Sequence, residues 1–211
     1  MLFNIEIKPF KTYLIMNHLL FRVVIANEQH LQFAESICAE METSSKQRGT
    51  GISKRSPEQI SYYILAGKAV IALTQSGEWA GFCYIESWDN DEYISNSGLI
   101  VAPSFRQSGL ARKIKTKIFK LSRMKFPDAK IFGLTTSSAV MKINSLLGYV
   151  PVVYSELTTE EKFWDGCSSC VNYEILQSKG KRNCLCTAML FDPMIHTNEI
   201  VLSQPITEQA S

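Results

Sequence analysis

The sequence predicts a mixed α/β (α+β) fold, with an antiparallel sheet in its first half and alternating strands and helices in its second. Three apolar runs joined by short polar turns, Ala69–Leu73, Trp79–Trp88 and Tyr93–Val101, indicate an antiparallel meander. After Val101, segments with helical periodicity alternate with short apolar runs. The 211 residues are 45% hydrophobic and 20% charged, so the chain is long and apolar enough to bury a core of its own.

The segment before the meander predicts one strand and two helices. Residues 20–25 form a β-branched apolar run, and apolar residues recur at helical spacing over 31–41. A polar, basic loop is expected over 44–55. Ser56-Pro57-Glu58 then has a capping serine and a proline at the first helical position, which predicts a short helix to about Leu65.

The second half predicts one long helix followed by shorter elements. Residues 109–124 carry apolar side chains on one helical face and Lys or Arg around the others. The remaining elements are expected in chain order as a strand over 131–135, a helix over 138–147 ended by Gly148, a strand over 150–153, a helix of one to two turns over 158–164, and a strand over 184–191.

The chain is expected to contain one folded domain. We assign 1–19 to an N-terminal extension, 20–193 to the domain, with a cysteine-rich segment at 165–191, and 194–211 to a C-terminal tail. The net charge of +2 is too even for a dedicated nucleic-acid-binding protein. No apolar stretch reaches the roughly 20 residues that cross a bilayer. We therefore expect a cytoplasmic protein without nucleic-acid or membrane partners, for which a homodimer is compatible with the sequence.

The segment 99–112 is typical of an anion-binding site. An apolar strand ends at Pro103, and Arg106-x-x-Gly109-x-Ala111 opens the basic helix. The first amides of a helix are unpaired and its dipole attracts negative charge, while Gly109 and Ala111 would let a pyrophosphate approach the main chain. From spacing alone, an ordinary strand–turn–helix with a glycine in its turn is an equally good interpretation.

This segment resembles motif A of the GNAT superfamily of acyl-CoA-dependent N-acyltransferases, which is Arg/Gln-x-x-Gly-x-Gly/Ala after a strand ending in Val-x-Pro. The matching residues are Val101, Pro103, Arg106, Gly109 and Ala111, followed downstream by Ala139 and Gly148-Tyr149. The sequence is most similar to bacterial N-acetylglutamate synthase-like members. The resemblance implies a GNAT-like mixed sheet, with an antiparallel N-terminal half and splayed parallel strands at the acyl-CoA site.

The resemblance also implies acetyl-CoA as co-substrate. In the family, the pantetheine arm pairs with the strand that splays away, which here offers the main chain of Leu99 and Val101. Thr136 takes the position of a frequent Asn near the pantetheine, and Arg106 and Arg112 would add positive charge. The pyrophosphate would be held by the amides of Gln107, Ser108, Gly109, Leu110, Ala111 and Arg112.

Asn144 departs from the family pattern. Many members have, four residues before the Gly of Gly148-Tyr149, a Tyr that protonates the departing CoA sulfur. An amide can donate a hydrogen bond but is no proton source. A thiolate with a pKa near ~8.5 can leave without an acid. We expect Asn144 to orient or stabilise the sulfur, and a purely structural role in its helix is the alternative.

Glu86 is the candidate general base. An amine must lose a proton before it attacks, and a positioned base is worth about 10²–10⁴ in rate. The carboxylates expected near the splayed strands are Glu86, Asp89, Asp91 and Glu92. Glu86 lies within an apolar run, where burial would raise its pKa. A solvated position on the outer face of the strand is the alternative.

The basic loop before Ser56 is a candidate acceptor site, because this region overhangs the acceptor in GNAT folds. Arg48, Lys54 and Arg55 could bind a carboxylate such as that of glutamate. Basic residues in a loop are also commonly just solvated.

Four cysteines lie close together in sequence near the end of the domain. Cys167-x-x-Cys170 has the spacing of a zinc knuckle, and Cys184 and Cys186 would share one face of the predicted last strand. We predict a structural zinc site remote from motif A. Buried thiols and a redox pair are the alternatives.

These features predict an N-acetyltransferase of GNAT type, which moves an acetyl or other short acyl group from acyl-CoA to the amine of a small amino acid, with glutamate in arginine biosynthesis as the candidate. Direct attack is expected, because neither Cys nor Ser pairs convincingly with His18, His30 or His196. A protein lysine or N-terminal acetyltransferase is one alternative. A non-catalytic acyl-CoA-binding regulatory module is another.

Overall fold

Seven strands form one mixed sheet in the order β1-β2-β3-β4-β5-β7-β6 in the computed structural model, which describes residues 20–49 and 53–195. The strands are β1 Arg22–Ile25, β2 Ala69–Leu73, β3 Trp79–Trp88, β4 Tyr93–Val101, β5 Lys130–Thr135, β6 Val150–Val152 and β7 Thr187–Phe191. The α-helices within these residues are α1 Ala34–Arg48, α2 Pro57–Leu65, α3 Leu110–Lys125, α4 Ser138–Leu146, α5 Glu161–Asp165 and α6 Tyr173–Ser178. The extension at 1–19 and the tail from 196 lie outside the described residues.

The antiparallel meander of β2, β3 and β4 has the bounds that the sequence predicts. Helix α2 also begins as expected. Ser56 Oγ accepts a hydrogen bond from the Gln59 amide at 3.3 Å, and Gln59 Oε1 accepts one from the Ser56 amide at 3.0 Å. Local signals were sufficient for these elements, since alternation and capping fix strand and helix limits without help from distant residues.

Three elements differ from the prediction. Helix α1 runs on to Arg48, into the expected loop, and ends where Gly49 takes a left-handed φ of 57°. Strand β7 lies between β5 and β6 and is antiparallel to both, so the second half is not a simple run of parallel units. Helix α6 had no periodic signal long enough to predict it.

Helices cover both faces of the sheet. Ile114, Ile118 and Leu121 of α3 pack against one face. Ile37 of α1 and Ile60 of α2 belong to a second cluster on the other face. A third cluster, built on Trp88, Phe132, Tyr154, Trp164 and Leu176, brings α5 and α6 against the sheet. Across the described residues, no helix combines the length and apolarity that crossing a membrane requires.

The centre of the sheet opens between its two parallel strands. β4 and β5 pair from Tyr93 with Lys130 to Ser95 with Phe132, and the pairing then ends. Both strands continue, β4 to Val101 and β5 to Thr135. Their diverging ends enclose a wedge-shaped space, here called the β4–β5 gap.

Candidate active site

Strand β4 is bulged where it borders the β4–β5 gap. Tyr84 pairs with Ser97 and Phe82 pairs with Ile100, so β4 holds one more residue than β3 between these pairs. Gly98 lies in the bulge with a left-handed φ of 63°, and a Cβ there would overlap the Tyr84 ring. Only glycine fits both the backbone and the space at this position.

The bulge directs peptide groups of β4 into the gap. The Ala102 amide donates to Ala80 O on β3 at 3.0 Å, so Ala102 faces β3. Successive residues of a strand alternate in direction, and Val101 and Leu99 therefore face the gap. These are the two residues predicted to pair with an extended ligand; Leu99 lines the cavity of the gap, and Val101 O is occupied by a hydrogen bond from Arg106.

Arg106 connects the open end of the gap to helix α1. Its Nε donates to Val101 O at 3.2 Å, and its Nη2 donates to Glu40 Oε1 and Ser44 Oγ, both at 2.7 Å. The Glu40 carboxylate balances the positive charge that was expected to face a pyrophosphate. The observed contacts give Arg106 the role of fixing the turn that precedes α3.

The start of α3 presents unpaired amides. Gly109 caps the helix with a φ of 78°, and a Cβ on it would meet no atom within 4 Å. The first intrahelical bond runs from the Lys113 amide to Gly109 O at 3.3 Å. Among the described residues, no group accepts from the amides of Leu110, Ala111 or Arg112. We call residues 106–112 the anion cradle, because open amides at a helix start attract anions.

A basic recess adjoins the anion cradle. It encloses about 760 Å³, and the residues that line it are Phe21, Val23, Gly109, Arg112, Lys113, Thr116, Lys117 and Lys120. Four of these side chains are positively charged and none is acidic. A recess of this charge attracts anions, and Arg112, which was expected to add charge near a phosphate, is among its lining residues.

A second, more enclosed cavity of about 620 Å³ occupies the β4–β5 gap and continues below α2, α5 and α6. This volume is within the range of small-molecule sites. Of the predicted site residues, those that line it are Arg55, Glu86, Leu99, Thr136, Asn144 and the four cysteines. Asp89, Asp91 and Glu92, the other acidic candidates, are not among its lining residues.

Glu86 is held in a network of aromatic and basic side chains. Tyr63 donates its hydroxyl to Glu86 Oε1 at 3.0 Å, and Arg55 Nη2 lies 3.5 Å from Glu86 Oε2. Arg55 Nε also donates to the Tyr84 hydroxyl, and the Tyr63 and Tyr84 rings stack at 4.3 Å. The side chain of Glu86 is 12% exposed, so it faces the cavity rather than bulk solvent.

The electrostatics of this network keep Arg55 charged and the tyrosine hydroxyls neutral. Burial raises the pKa of the Tyr63 hydroxyl, and the negative charge of Glu86 raises it further. Burial opposes the charge on Arg55, but the Tyr84 hydroxyl and the Glu86 carboxylate more than offset it and raise its pKa. Both tyrosines thus remain donors or acceptors in neutral form, and Arg55 remains a cation beside Glu86.

The other two predicted acceptor residues are placed differently. The side chain of Arg48 lies outside the described part of the structure. Lys54 is exposed, and its amide donates to Ser169 Oγ at 3.0 Å. Of the three, Arg55 is the residue that the fold brings to the cavity.

Asn144 is buried on α4, with 1% of its surface exposed. Its Nδ2 lies 3.7 Å from Met189 Sδ, and its Oδ1 has no hydrogen-bond partner in the described residues. A buried amide with an unpaired oxygen costs about 1–3 kcal/mol unless a ligand satisfies it. Asn144 therefore has the free hydrogen-bonding capacity expected of a ligand contact.

We expect Asn144→Ala to lower turnover with acetyl-CoA by no more than about tenfold, because a thiolate leaving group needs no proton from this side chain. Steady-state kinetics of the variant beside Asn183→Ala, a change at an exposed asparagine, measure the effect. A loss above about 10³-fold would show that Asn144 has an essential role in the chemical step.

The predicted zinc site is not supported. Within the described segments, no set of three or more His, Cys, Asp or Glu side chains is placed to hold a metal ion. Cys184 and Cys186 precede β7, which begins at Thr187, so they do not share a strand face. Burial raises the pKa of Cys167 to about 11 and that of Cys186 to about 12. The expectation of a remote location is also wrong, since these thiols line the same cavity as Leu99.

Lys115 and an aromatic wall are site features that the sequence interpretation missed. Lys115 is buried on α3 and lines the cavity. Its position, four residues after Ala111 and three before Ile118, places it on the buried stripe of the helix, which is the signal that could have found it. The aromatic wall consists of Trp88, Phe132, Tyr154, Phe163 and Trp164.

Comparison with known proteins identifies the fold. No protein-family model and no curated protein matches the sequence. N-acetylglutamate synthase from Neisseria gonorrhoeae, complexed with coenzyme A and N-acetyl-glutamate, has a TM-score of 0.58 at 16% identity over 82% of this chain and 35% of that chain. This chain thus spans about a third of that synthase.

Two further solved structures are similar over nearly their whole length. Rv2747 from Mycobacterium tuberculosis, in complex with CoA, has a TM-score of 0.57 at 15% identity, covering 81% of this chain and 98% of that one. A GNAT-family acetyltransferase from Staphylococcus aureus has a TM-score of 0.58 at 12% identity, covering 82% and 99%. The chain has the GNAT fold, and the predicted mixed sheet with splayed parallel strands is confirmed.

Proposed function

We propose that this protein is an N-acyltransferase that moves a short acyl group, such as acetyl, from acyl-CoA to the amine of a small amino acid. The observation that carries the proposal is the combination of the β4–β5 gap, bordered by the end of β4 with Leu99 and Val101, with the unpaired amides at the start of α3. A linear ligand with amides along its length and phosphates at one end is complementary to this combination.

The residues present fit acyl-CoA. The amides of Gln107 to Arg112 would hold the pyrophosphate, and the basic recess would hold the remaining phosphate. Leu99 and Val101 would pair with the pantetheine amides, with Thr136 at the rim of the cavity. Bound there, the ligand supplies a thioester carbonyl, which an amine can attack directly.

Glu86 would act as the base. It accepts the proton that the acceptor amine loses as nitrogen bonds to the thioester carbon. Tyr63 and Arg55 orient its carboxylate, and the carbon–sulfur bond breaks as the thiolate leaves, which requires no proton donor. His30 takes no part, because its Nδ1 is bonded to the Asn27 amide at 3.0 Å.

An amino-acid acceptor suits the Glu86 end of the cavity. Its ammonium group would meet the Glu86 carboxylate, and the carboxylate of an acidic side chain would approach Arg55, which is 16% exposed at its side chain. A cavity of about 620 Å³ holds a small acceptor beside the acyl group. Glutamate, with a second carboxylate, is the acceptor that we propose, as in arginine biosynthesis.

Arg55→Ala should raise KM for glutamate by about tenfold or more, the value of one lost charge-assisted hydrogen bond. A neutral acceptor such as glutamine provides the internal control, because both acceptors depend equally on Glu86. We expect a smaller rise for glutamine in steady-state kinetics. An equal change for both acceptors would contradict a carboxylate contact at Arg55.

An acceptor screen tests the proposal. The release of CoA thiol from acetyl-CoA is measured in three parallel assays: with single amino acids, with lysine-containing peptides, and without an acceptor. Thiol release that depends on an amino acid supports the proposal. Release that requires a peptide favours a protein acetyltransferase, and CoA binding without release favours a regulatory acyl-CoA-binding module.

A further inference from the structure

A lysine amine is buried at the closed end of the β4–β5 gap. Lys115 is 2% exposed and lines the cavity. Its Nζ donates one long hydrogen bond to Asn96 O at 3.4 Å and lies 5.5 Å from the centre of the Tyr149 ring. In the described part of the chain, no acidic side chain is within ion-pair distance of it.

The strand pairing places this amine within the gap. Ile85 donates its amide to Lys68 O at 2.8 Å, so its peptide groups face away from β4. Asn96 is paired with Ile85, and its peptide groups therefore face away from β3 and into the gap. Asn96 directly follows Ser95, the last residue of β4 that pairs with β5. Lys115 thus contacts the first unpaired carbonyl of the gap.

The opposite wall of the gap, formed by β5, leaves room near Asn144. Gly133 directly follows Phe132, the last residue of β5 that pairs with β4. A Cβ on Gly133 would meet only Asn144 Nδ2, at 4.0 Å. Lys115 approaches from α3 and Asn144 from α4, on the same face of the sheet as Met189. Lys115 and Asn144, two buried polar side chains, both line the cavity that occupies the gap.

Neither of these side chains has a sufficient partner within the protein. Burial lowers the pKa of Lys115, since removing an ammonium group from water is costly without an anion beside it. Asn144 Oδ1 has no partner in the residues described. Rotation of the Asn144 amide would turn its donor toward the same space. The missing complement is an anionic group that accepts hydrogen bonds from both.

We propose that the acyl group of the donor ends in a carboxylate, as in a short dicarboxylic acyl-CoA, and that Lys115 and Asn144 bind this carboxylate at the closed end of the β4–β5 gap. This inference rests on the proposed function, because it concerns the donor of the same reaction. An acetyl group has no polar atom to offer there. Glu86 lies with Tyr63 and Tyr84 on the other face of the sheet. Since Glu86 already has the role of base in the proposed function, the Lys115 amine is not needed for it.

Binding of three CoA species tests the inference without any acceptor. Calorimetric titrations use free CoA, butyryl-CoA and succinyl-CoA, of which the last two have acyl chains of equal length and differ in the terminal carboxylate. We expect wild-type protein to bind succinyl-CoA at least about tenfold more tightly than butyryl-CoA, the value of one or more charge-assisted hydrogen bonds. In Lys115→Met the ratio of the affinity for succinyl-CoA to that for butyryl-CoA should fall to about one or below one. Lys125→Met, the same change at an exposed position at the far end of α3, should keep the wild-type ratio.

The outcomes separate this inference from the proposed function. Binding of free CoA with equal or tighter binding of butyryl-CoA than of succinyl-CoA overturns the inference and leaves the acyltransferase proposal intact. A succinyl preference that persists in Lys115→Met also overturns it. Failure of all three CoA species to bind the wild-type protein overturns both proposals. Retained free-CoA binding by Lys115→Met verifies that the variant is folded.

Discussion

Gly109→Glu should weaken CoA binding by at least about 100-fold, since a carboxylate would stand where the unpaired amides of α3 face an anion, and like charges in a desolvated site cost several kcal/mol. The present glycine leaves this space open: a Cβ at Gly109 would meet no atom within 4 Å. Titration of CoA by calorimetry measures the loss. A matching thermal unfolding curve establishes that the variant remains folded.

Gly77→Glu is the matched control. Gly77 lies in the turn between β2 and β3 with a φ of 85°, close to the 78° of Gly109, and it too has no atom within 4 Å of an added Cβ. The two variants therefore carry the same backbone strain and the same charge change. Unchanged CoA affinity in folded Gly109→Glu, or an equal loss in Gly77→Glu, would contradict the assignment of the anion cradle.

Glu86→Gln should reduce kcat/KM by about 10²–10⁴ at neutral pH, the usual contribution of a positioned base. Glutamine keeps the size of the side chain and can still accept from Tyr63, but it cannot take a proton. The loss should shrink as pH rises through the pKa of the acceptor amine, because free amine then becomes available without a base. Rates measured across this pH range test both parts of the expectation.

Glu92→Gln supplies the comparison for this variant. Glu92 is exposed and is not among the residues that line the cavity. Its replacement should leave the pH–rate profile unchanged. A loss in Glu86→Gln that is constant across the pH range would remove Glu86 as the base and leave it a role in positioning Arg55.

Much of the fold could be predicted because its signals are local. The runs that became β2, β3 and β4 are bounded by polar turns, and α2 carries a complete capping box at Ser56. The anion cradle was predicted for the same reason, since a glycine and an unpaired helix start are adjacent in the chain. The position of β7 between β5 and β6 depends on pairing between distant segments, which alternation in the sequence does not specify.

The parts of the site that could not be predicted are tertiary contacts. Arg106 is paired with Glu40, which lies 66 residues away, and Arg55 shares its charge between Tyr84 and Glu86. The cysteine spacing indicated a metal site only on the assumption that Cys184 lies in a strand. The spacing of Lys115 puts it at the edge of the apolar stripe of α3, but only the packing of that helix shows that its amine is enclosed.

Acyl transfer itself is tested most directly by one assay, in which the protein is incubated with an acyl-CoA and an amine acceptor and both products are measured. The acyl donors are acetyl-CoA and succinyl-CoA, and the acceptors are single amino acids. We predict that an N-acylated amino acid forms in equal amount to the released CoA thiol, and that Gly109→Glu forms neither. CoA that binds to the wild-type protein without any acylated product from either donor, across amino-acid and peptide acceptors, would contradict the proposal that this site is an acyltransferase.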